Sequence, residues 1–350
     1  MVGIDISDRS IKIAEVDLAS SPRLRTVCWS PLTPNAMRRG VIQDIPVATV
    51  TLQETLKKCS PVPVSSDEVV ASIPETQSFV RVIDLPTMPN YEVSEAVQWA
   101  VRQHIPFDLE RVYLDWQALP AAFSQDRKRR QVLVGAVQRD VVDPLLEVLD
   151  GAGLRVIALE LEAQAIVRSL LPRDAYDVHG VLVVDLGATS TNVIYFDGGV
   201  MQFTTSVQLG GDDLTQKLAQ RLHVAPSIAA EKKMTIGLQM QEGEEAKVAM
   251  VLHEATIELL EKIERTVREI TAQLQEDHPV RAILLSGGSA NLPGIQNVVA
   301  EVFPGIPVEM GNPWTNISFA NKDNQPPLSP QDANHFITAI GLALRLPEES

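Results

Sequence analysis

Cysteine is scarce in this chain. Cys28 and Cys59 are the whole complement in 350 residues, enough for one bridge at most and not for a disulfide framework. That excludes the small bridged scaffolds of secreted proteins and fits a reducing cytosol. Positive charge is in deficit too: 30 Lys and Arg stand against 45 Asp and Glu, a formal net charge of −15. A nucleic-acid binder would carry a basic footprint instead, so no nucleic-acid partner is expected. No apolar run approaches the roughly 18–20 residues that cross a bilayer. The chain starts directly on a strand-like segment, so no secretory leader is expected. Six histidines show no His-x-x-x-His spacing and the cysteines no Cys-x-x-Cys spacing, which removes the common zinc patterns.

What the chain does have is apolar content, 45% of its residues, enough for two or three domains of about 100–200 residues each. It also repeats itself. "GIDISDRSIKI", from Gly3 to Ile13, and "VVDLGATSTNVIYF", from Val183 to Phe196, align without a gap when Asp5 is set on Asp185, an offset of 180. Ile6 then meets Leu186, Ser10 meets Ser190, Ile13 meets Val193 and Asp17 meets Asp197. Each segment reads as strand, tight turn, strand, and each is followed by alternating strand and helix signals. A duplicated α/β architecture is expected, with both halves opening on the same hairpin.

The chemistry of such a hairpin is anion binding. Small turn residues let backbone N–H groups face a phosphate, and hydroxyls add donors. The first turn offers Ser7, Ser10 and Lys12, and the second Gly187, Ala188, Thr189, Ser190 and Asn192. Asp5 and Asp185, at equivalent strand ends, suit Mg²⁺ held through water, because that ion keeps its waters and takes one or two carboxylates. One such hairpin recurs by chance. A third element strengthens the pattern: "AILLSGGSANLPGIQNVVAEVF", Ala282 to Phe303, reads as a buried strand, a turn at Gly287, Gly288 and Ser289, and a helix introduced by Pro293. Its glycines permit close approach to a flat base or ribose.

With these three segments in this order, the chain resembles the actin-like ATPase superfamily. "EAVQWAVRQHIPFDLERVYLDWQAL", Glu95 to Leu119, with "GLRVIALELEAQAIVRSL" and "NPWTNI", narrows the resemblance to the PilM family of type IV pilus assembly proteins, relatives of the division protein FtsA. The resemblance runs from end to end, and the Ile-Pro-Phe segment is its most specific part. It implies an actin-like, ribonuclease H-like, two-lobed α/β fold with an inserted α+β subdomain. The implied division is 1–85 with 150–180 as one actin-like subdomain, 86–149 as the insertion, 181–210 with 265–350 as the second actin-like subdomain, and 211–264 as its smaller companion. "HFITAIGLALR" is the implied connecting helix.

Within the insertion, Val93, Ala96, Val97, Ala100 and His104 form an apolar helical stripe, with Asn90 as the expected N-cap and Pro106 as the stop. "RVYLDWQAL" and "RQVLVGAVQ" alternate as strands. Trp99 and Trp116 are expected to pack this subdomain, and Arg127 to Arg130 to form a solvated hairpin tip. In the second half, Val248, Leu252, Ala255, Leu259, Ile263, Val267, Ile270 and Leu274 mark one long amphipathic helix with a salt-bridged polar face.

The resemblance further implies ATP with Mg²⁺ between the lobes. It adds Gly210, Gly211 and Lys233 to the base and ribose contacts of Gly287, Gly288 and Ser289. Two departures stand out. Asp8 and Arg9 replace small residues of the first turn, so Asp8 is expected to set a negative charge near the phosphates. In the Ala-Glu-x-x-Lys segment Ala230 falls on the Glu position, and Glu231, one residue along, is turned by about 100°. ATP binding with at most weak turnover is expected, and no general base can be named. The implied role is a cytoplasmic scaffold, recruited to the inner membrane through its partners. Those partners are the cytoplasmic N-terminal peptide of PilN, the PilN/PilO subcomplex and the pilus motor ATPases. A filament-forming or ATP-hydrolysing FtsA-like protein is the alternative. The absence of an amphipathic helix in the terminal "LALRLPEES" speaks against the filament former.

Overall fold

The computed structural model describes residues 1–19, 21–102, 108–119, 129–173, 175–239, 242–271, 279–319 and 328–346. The first lobe opens with strands β1 (Val2–Ser7), β2 (Ser10–Asp17) and β3 (Arg23–Pro31), a two-residue ribbon β4 (Met37–Arg38) and β5 (Val41–Ile42), helix α1 (Ile45–Lys57) and β6 (Glu68–Ile73). Asp44 caps α1 by accepting from Val47 N–H, and Pro46 sits in the first turn, where no N–H is missed. Next come β7 (Ser78–Pro86), α2 (Asn90–Val101), β8 (Val112–Ala118), β9 (Arg129–Gln138) and α3 (Arg139–Gly151). The chain then re-enters the lobe as β10 (Arg155–Leu161) and leaves it as α4 (Glu162–Leu170).

The second lobe repeats the plan with β11 (Val181–Leu186), β12 (Thr191–Asp197) and β13 (Val200–Val207). Helices α5 (Gly211–Leu222), α6 (Pro226–Thr235) and α7 (Glu244–Thr271) follow, then β14 (Ala282–Ser286), α8 (Ile295–Val302), β15 (Val308–Met310), α9 (Pro330–Asn334) and α10 (Ile337–Ala343). The sheets run β10-β6-β1-β2-β3 and β15-β14-β11-β12-β13, one order written twice. In each, the first three strands form an antiparallel meander and the later two add in parallel. The registers agree to the residue: Asp5 pairs with Lys12, and Asp185 pairs with Asn192. The offset of 180 read from sequence is thus the offset of the two ladders.

β1 and β11 are buried on both faces, as central strands flanked by helices must be. Leu182, Val184 and Leu186 face α5, α7 and α8, while Val181 and Val183 face α4. Ile4, Ile11 and Ile13 of the first sheet pack with Leu52 of α1 and Leu149 of α3. Its other face carries Ala14 and Val16 against Ala339 and Ile340 of α10. The pair α4 and α10 therefore lies between the two sheets. Gly341 makes that approach possible, since a Cβ there would overlap the carbonyl of Ala165.

Between β6 and α3 lies a separate three-stranded sheet, β7-β9-β8, backed by α2 through Val93, Val97 and Val101. This layer runs from Ser78 to Gln138 rather than from 86 to 149. β7 pairs with β9 along its whole length, and α3 instead packs its Leu145, Val148 and Leu149 into the first lobe. The layer also reaches the second lobe, where Val80, Val82 and Leu133 join the cluster around Ile194 and Phe196.

Two local expectations need correction. Pro89, not Asn90, stands at the cap of α2, and Asn90 is the first helical residue. Trp99 does not pack the layer: it is 67% exposed, because it faces away from the Val93–Val97–Val101 stripe. Trp116 does pack there, and its Nε1–H donates to Ser94 Oγ at 3.3 Å. His104, Pro106, Arg127, Lys128 and Leu274, with the Ile-Pro-Phe segment, lie outside the described residues. Arg129 and Arg130 open β9. In α7, Val248, Leu252, Ala255, Leu259, Ile263 and Val267 are buried as the stripe requires, and Lys262–Glu258 and Arg268–Glu264 pair along its polar face. Cys28 and Cys59 are bonded to each other. Among the described residues no helix is long and apolar enough to cross a membrane.

Candidate functional site

The two hairpin turns face each other across a cleft of about 1160 Å³. Asp5, Ser7, Ser10 and Lys12 line it from the first lobe. Asp185, Gly187, Ala188, Thr189, Ser190, Asn192, Lys233, Gly287, Gly288 and Ser289 line it from the second. Gly210 and Gly211 do not reach its surface. Gly211 N–H donates to Gly187 O at 3.0 Å and Asp212 N–H to Ala188 O at 2.8 Å, so this segment braces the second turn from beneath. The double glycine is thus a support of the turn rather than part of the cleft wall.

Charge on the floor is concentrated and mostly buried. Lys12 Nζ donates to Asp5 Oδ2 at 2.8 Å, and Ser72 Oγ donates to Asp5 Oδ1 at 3.1 Å. Asp185 Oδ1 accepts from Ser286 Oγ at 2.8 Å. Burial pushes the Asp185 carboxyl up, against the opposing pull of Ser286 and Lys12. Burial alone would lower Lys12, but Asp5, Asp185 and Glu162 outweigh it and hold the ammonium charged. Among the described residues no three His, Cys, Asp or Glu side chains converge tightly enough to cage a metal. Facing carboxylates without a cage suit an ion that keeps its water shell.

One carboxyl joins this floor that local sequence did not announce, and a second lies buried behind it. Glu162, in the first turn of α4, accepts from Asn192 Nδ2 at 3.0 Å. Burial and the neighbouring Asp5, Asp185 and Glu75 raise its pKa to about 8. Glu75, in a single 3₁₀ turn before β7, is raised by burial to about 7. Glu162 lies in the "GLRVIALELEAQAIVRSL" segment, but nothing in its residue pattern marked it as a cleft residue, and Glu75 stands in no motif. The one signal for Glu162 was its place just beyond the end of "VIALEL".

The departures resolve structurally. Asp8 does line the cleft, as expected, but its charge there is met by backbone donors. Its carboxylate turns back to accept from Arg39 N–H at 2.8 Å and Gly40 N–H at 2.9 Å, which ties the first turn to the β4–β5 ribbon. Arg9 leans across and pairs with Asp212 at the start of α5, its Nε donating at 2.7 Å. Lys233 Nζ donates to Gly211 O at 2.7 Å, and burial lowers its pKa. Glu231 is exposed and does not line the cleft. Ser289 Oγ donates to Gly187 O at 3.0 Å, which joins the third segment to the second turn. Gly287 has φ +85°, and a Cβ there would sit 2.6 Å from Leu186 O and 2.9 Å from Asp185 Oδ1. Only glycine fits this corner.

Two lobes with one strand order, a hairpin turn in each, and a helix pair between the sheets define an actin-like fold, here carrying an inserted layer. Solved structures agree. A chain of the "PilM-PilN type IV pilus biogenesis complex" superposes with a TM-score of 0.84 at 25% identity, covering 98% of this chain and 97% of the other. MreB5 of Spiroplasma citri bound to AMPPNP shares the fold at a TM-score of 0.53 and 11% identity, covering 97% of this chain and 93% of that one. Among curated relatives, the cell division protein FtsA of Streptococcus pneumoniae is 24% identical over 342 residues, 88% of this chain and 74% of that protein. FtsA of Escherichia coli K12 is 24% identical over 309 residues, 80% of this chain and 68% of that protein. The family model for the type IV pilus assembly protein PilM matches residues 3–346. The chain belongs to the PilM family of type IV pilus assembly proteins.

Proposed function

We propose that this chain is a nucleotide-responsive scaffold of type IV pilus assembly, binding Mg²⁺-ATP between its lobes and the cytoplasmic N-terminal peptide of PilN against its first lobe and inserted layer. In this reading it links the PilN/PilO inner-membrane subcomplex to the motor ATPases from the cytoplasmic side. The observation that carries it is the match, over 98% of this chain, to a chain of a PilM–PilN type IV pilus biogenesis complex.

The residues fit the nucleotide. The facing turns offer N–H groups and the hydroxyls of Ser7, Ser10, Thr189 and Ser190 to a polyphosphate. Lys12 adds a charged donor, and Asp5 and Asp185 would hold Mg²⁺ through water. Gly287, Gly288 and Ser289, with Lys233, would meet the base and ribose. The bound ion supplies charge neutralisation at the phosphates, and the chain's contribution is to orient them and to join the lobes. The seam between the inserted layer and α3 offers the peptide a rigid edge. There Tyr113 O–H donates to Asp143 Oδ1 at 2.9 Å, and the Arg139 guanidinium lies 4.3 Å from the Tyr113 ring centre. Nucleotide would act by shifting the population of lobe arrangements.

Calorimetric titration with a synthetic PilN N-terminal peptide tests the reading. Binding that tightens with Mg²⁺-ATP is expected, and no heat with or without nucleotide overturns it. Glu162 favours a second activity. Its raised carboxyl sits among Asp5, Asp185 and Asn192, where a water attacking the terminal phosphate could be oriented. Phosphate release above background that vanishes in Glu162→Gln is the expected sign of that slow turnover.

A further inference from the structure

Behind the cleft floor lies a group of buried oxygens without partners. Glu75 Oε2, Asn192 Oδ1, Thr204 Oγ1 and Ser206 Oγ are each inaccessible to solvent and make no hydrogen bond in the structure. They are not scattered. Asn192 is the register partner of Ser206, and Ile194 of Thr204, across β12 and β13. Paired residues and their i+2 neighbours share one face of a sheet, so Asn192, Thr204 and Ser206 lie side by side. That face is the one holding Ile194 against α4. Onto it the first lobe brings Glu75, whose carboxyl lies near Thr204 and Ala163, and Glu162, which accepts from the Asn192 amide.

Buried polar groups in folded proteins are almost always satisfied, and a buried carboxylate needs a cation or several donors. Among the described residues no cationic side chain contributes at Glu75. Glu75 and Asn192 are only 5% and 4% exposed, so bulk water cannot serve them. The donors are all oxygen, the preference of hard cations. One carboxylate oxygen with three neutral oxygens matches a single positive charge.

We propose that Glu75, Asn192, Thr204 and Ser206 bind a monovalent alkali cation, K⁺ or Na⁺, at the seam between the lobes. The ion would join the connection entering the inserted layer to the second lobe's sheet, beside the nucleotide cleft and without sharing its two aspartates.

Two measurements on the full chain, without nucleotide or peptide, decide it. In crystals grown with Rb⁺ or Tl⁺, anomalous density is expected within contact of Glu75 and Asn192. Density explained by water alone, or by a divalent ion, overturns the assignment. Thermal melting is compared in KCl, NaCl and choline chloride at equal ionic strength. The wild type is expected to melt about 2–3 °C higher in at least one alkali salt than in choline, and Glu75→Gln to melt alike in all three. Identical wild-type melting in the three salts overturns the proposal, as does a difference that survives in the variant. Should Glu75→Gln fail to fold, Ser206→Ala carries the same comparison. Because no nucleotide is present, the outcome is independent of whether the cleft binds ATP.

Discussion

Arg9, at the tip of the first hairpin, and Asp212, at the start of α5 in the second lobe, are ion-paired across the mouth of the cleft. Both are substantially exposed, so the pair contributes little to stability. It still places a carboxylate where a polyphosphate would approach and occupies a guanidinium that could meet one. Asp212→Asn is expected to raise affinity for a fluorescent ATP analogue about 2–5-fold at low salt, with the gain shrinking as salt is added. Arg9→Ser is expected to lower affinity. Equal affinities for wild type and Asp212→Asn would show that the pair does not compete with nucleotide.

Lys12 is the cation that makes the floor tolerable, with its side chain 19% exposed and Asp5 at 2.8 Å. Replacing it by Met leaves Asp5 buried beside Asp185 and Glu162 with no counter-charge. Loss of about 2–3 kcal/mol of stability is expected by urea denaturation without nucleotide, below the range for fully enclosed pairs because water reaches the cleft. Adding Asp5→Asn to Lys12→Met should recover part of that loss. A double variant no more stable than the single would refute the pairing.

Glu162 makes stability depend on pH. Its carboxyl rises from 4.5 in the unfolded chain to about 8 in the fold. The folded chain therefore holds one proton more between those values, and stability falls as pH rises through that window. Glu162→Gln is expected to flatten the decline by on the order of 1–3 kcal/mol between about pH 5 and pH 8. Denaturation midpoints measured across that range, without Mg²⁺ or nucleotide, would read it. Parallel profiles for the two proteins contradict the assignment.

Gly341 should be the least replaceable glycine of the helix pair. Alanine there must push α10 off the Ala165 carbonyl, at a cost of about 2–3 kcal/mol. Gly135→Ala is the control, since a Cβ at that position meets nothing within 4 Å, and it should stay within about 0.5 kcal/mol of wild type. Differential scanning calorimetry of both variants checks the contrast.

What could be read from residues alone follows a physical division. The paired hairpins were legible because a two-stranded ladder is local, so its register is written in adjacent residues such as Asp5 and Lys12. The stripe of α7 was legible because helical period fixes a face. The partners of Asp8 were not legible, because the N–H groups that its carboxylate accepts from belong to Arg39 and Gly40, about thirty residues on, and nothing near Asp8 announces them. Trp99 was misread through composition, when its offset of two from Val97 and from Val101 already turned it outward. Nothing local marked Glu75 or Glu162 as site residues, because tertiary packing alone brings Glu162 to the floor and Glu75 behind it.

The crossing of α4 and α10 has a mechanical corollary. One shaft sits between both sheets, begins at Glu162 on the cleft floor, and has as its companion a helix just beyond His335 on the cleft rim. A rotation of one sheet against the other would disturb the contacts of this pair with both. The same turn swings Glu162 relative to Asp185 and moves the edge on which the inserted layer rests. If nucleotide binding moves the lobes as proposed, this one helix pair would carry the movement toward the layer's surface.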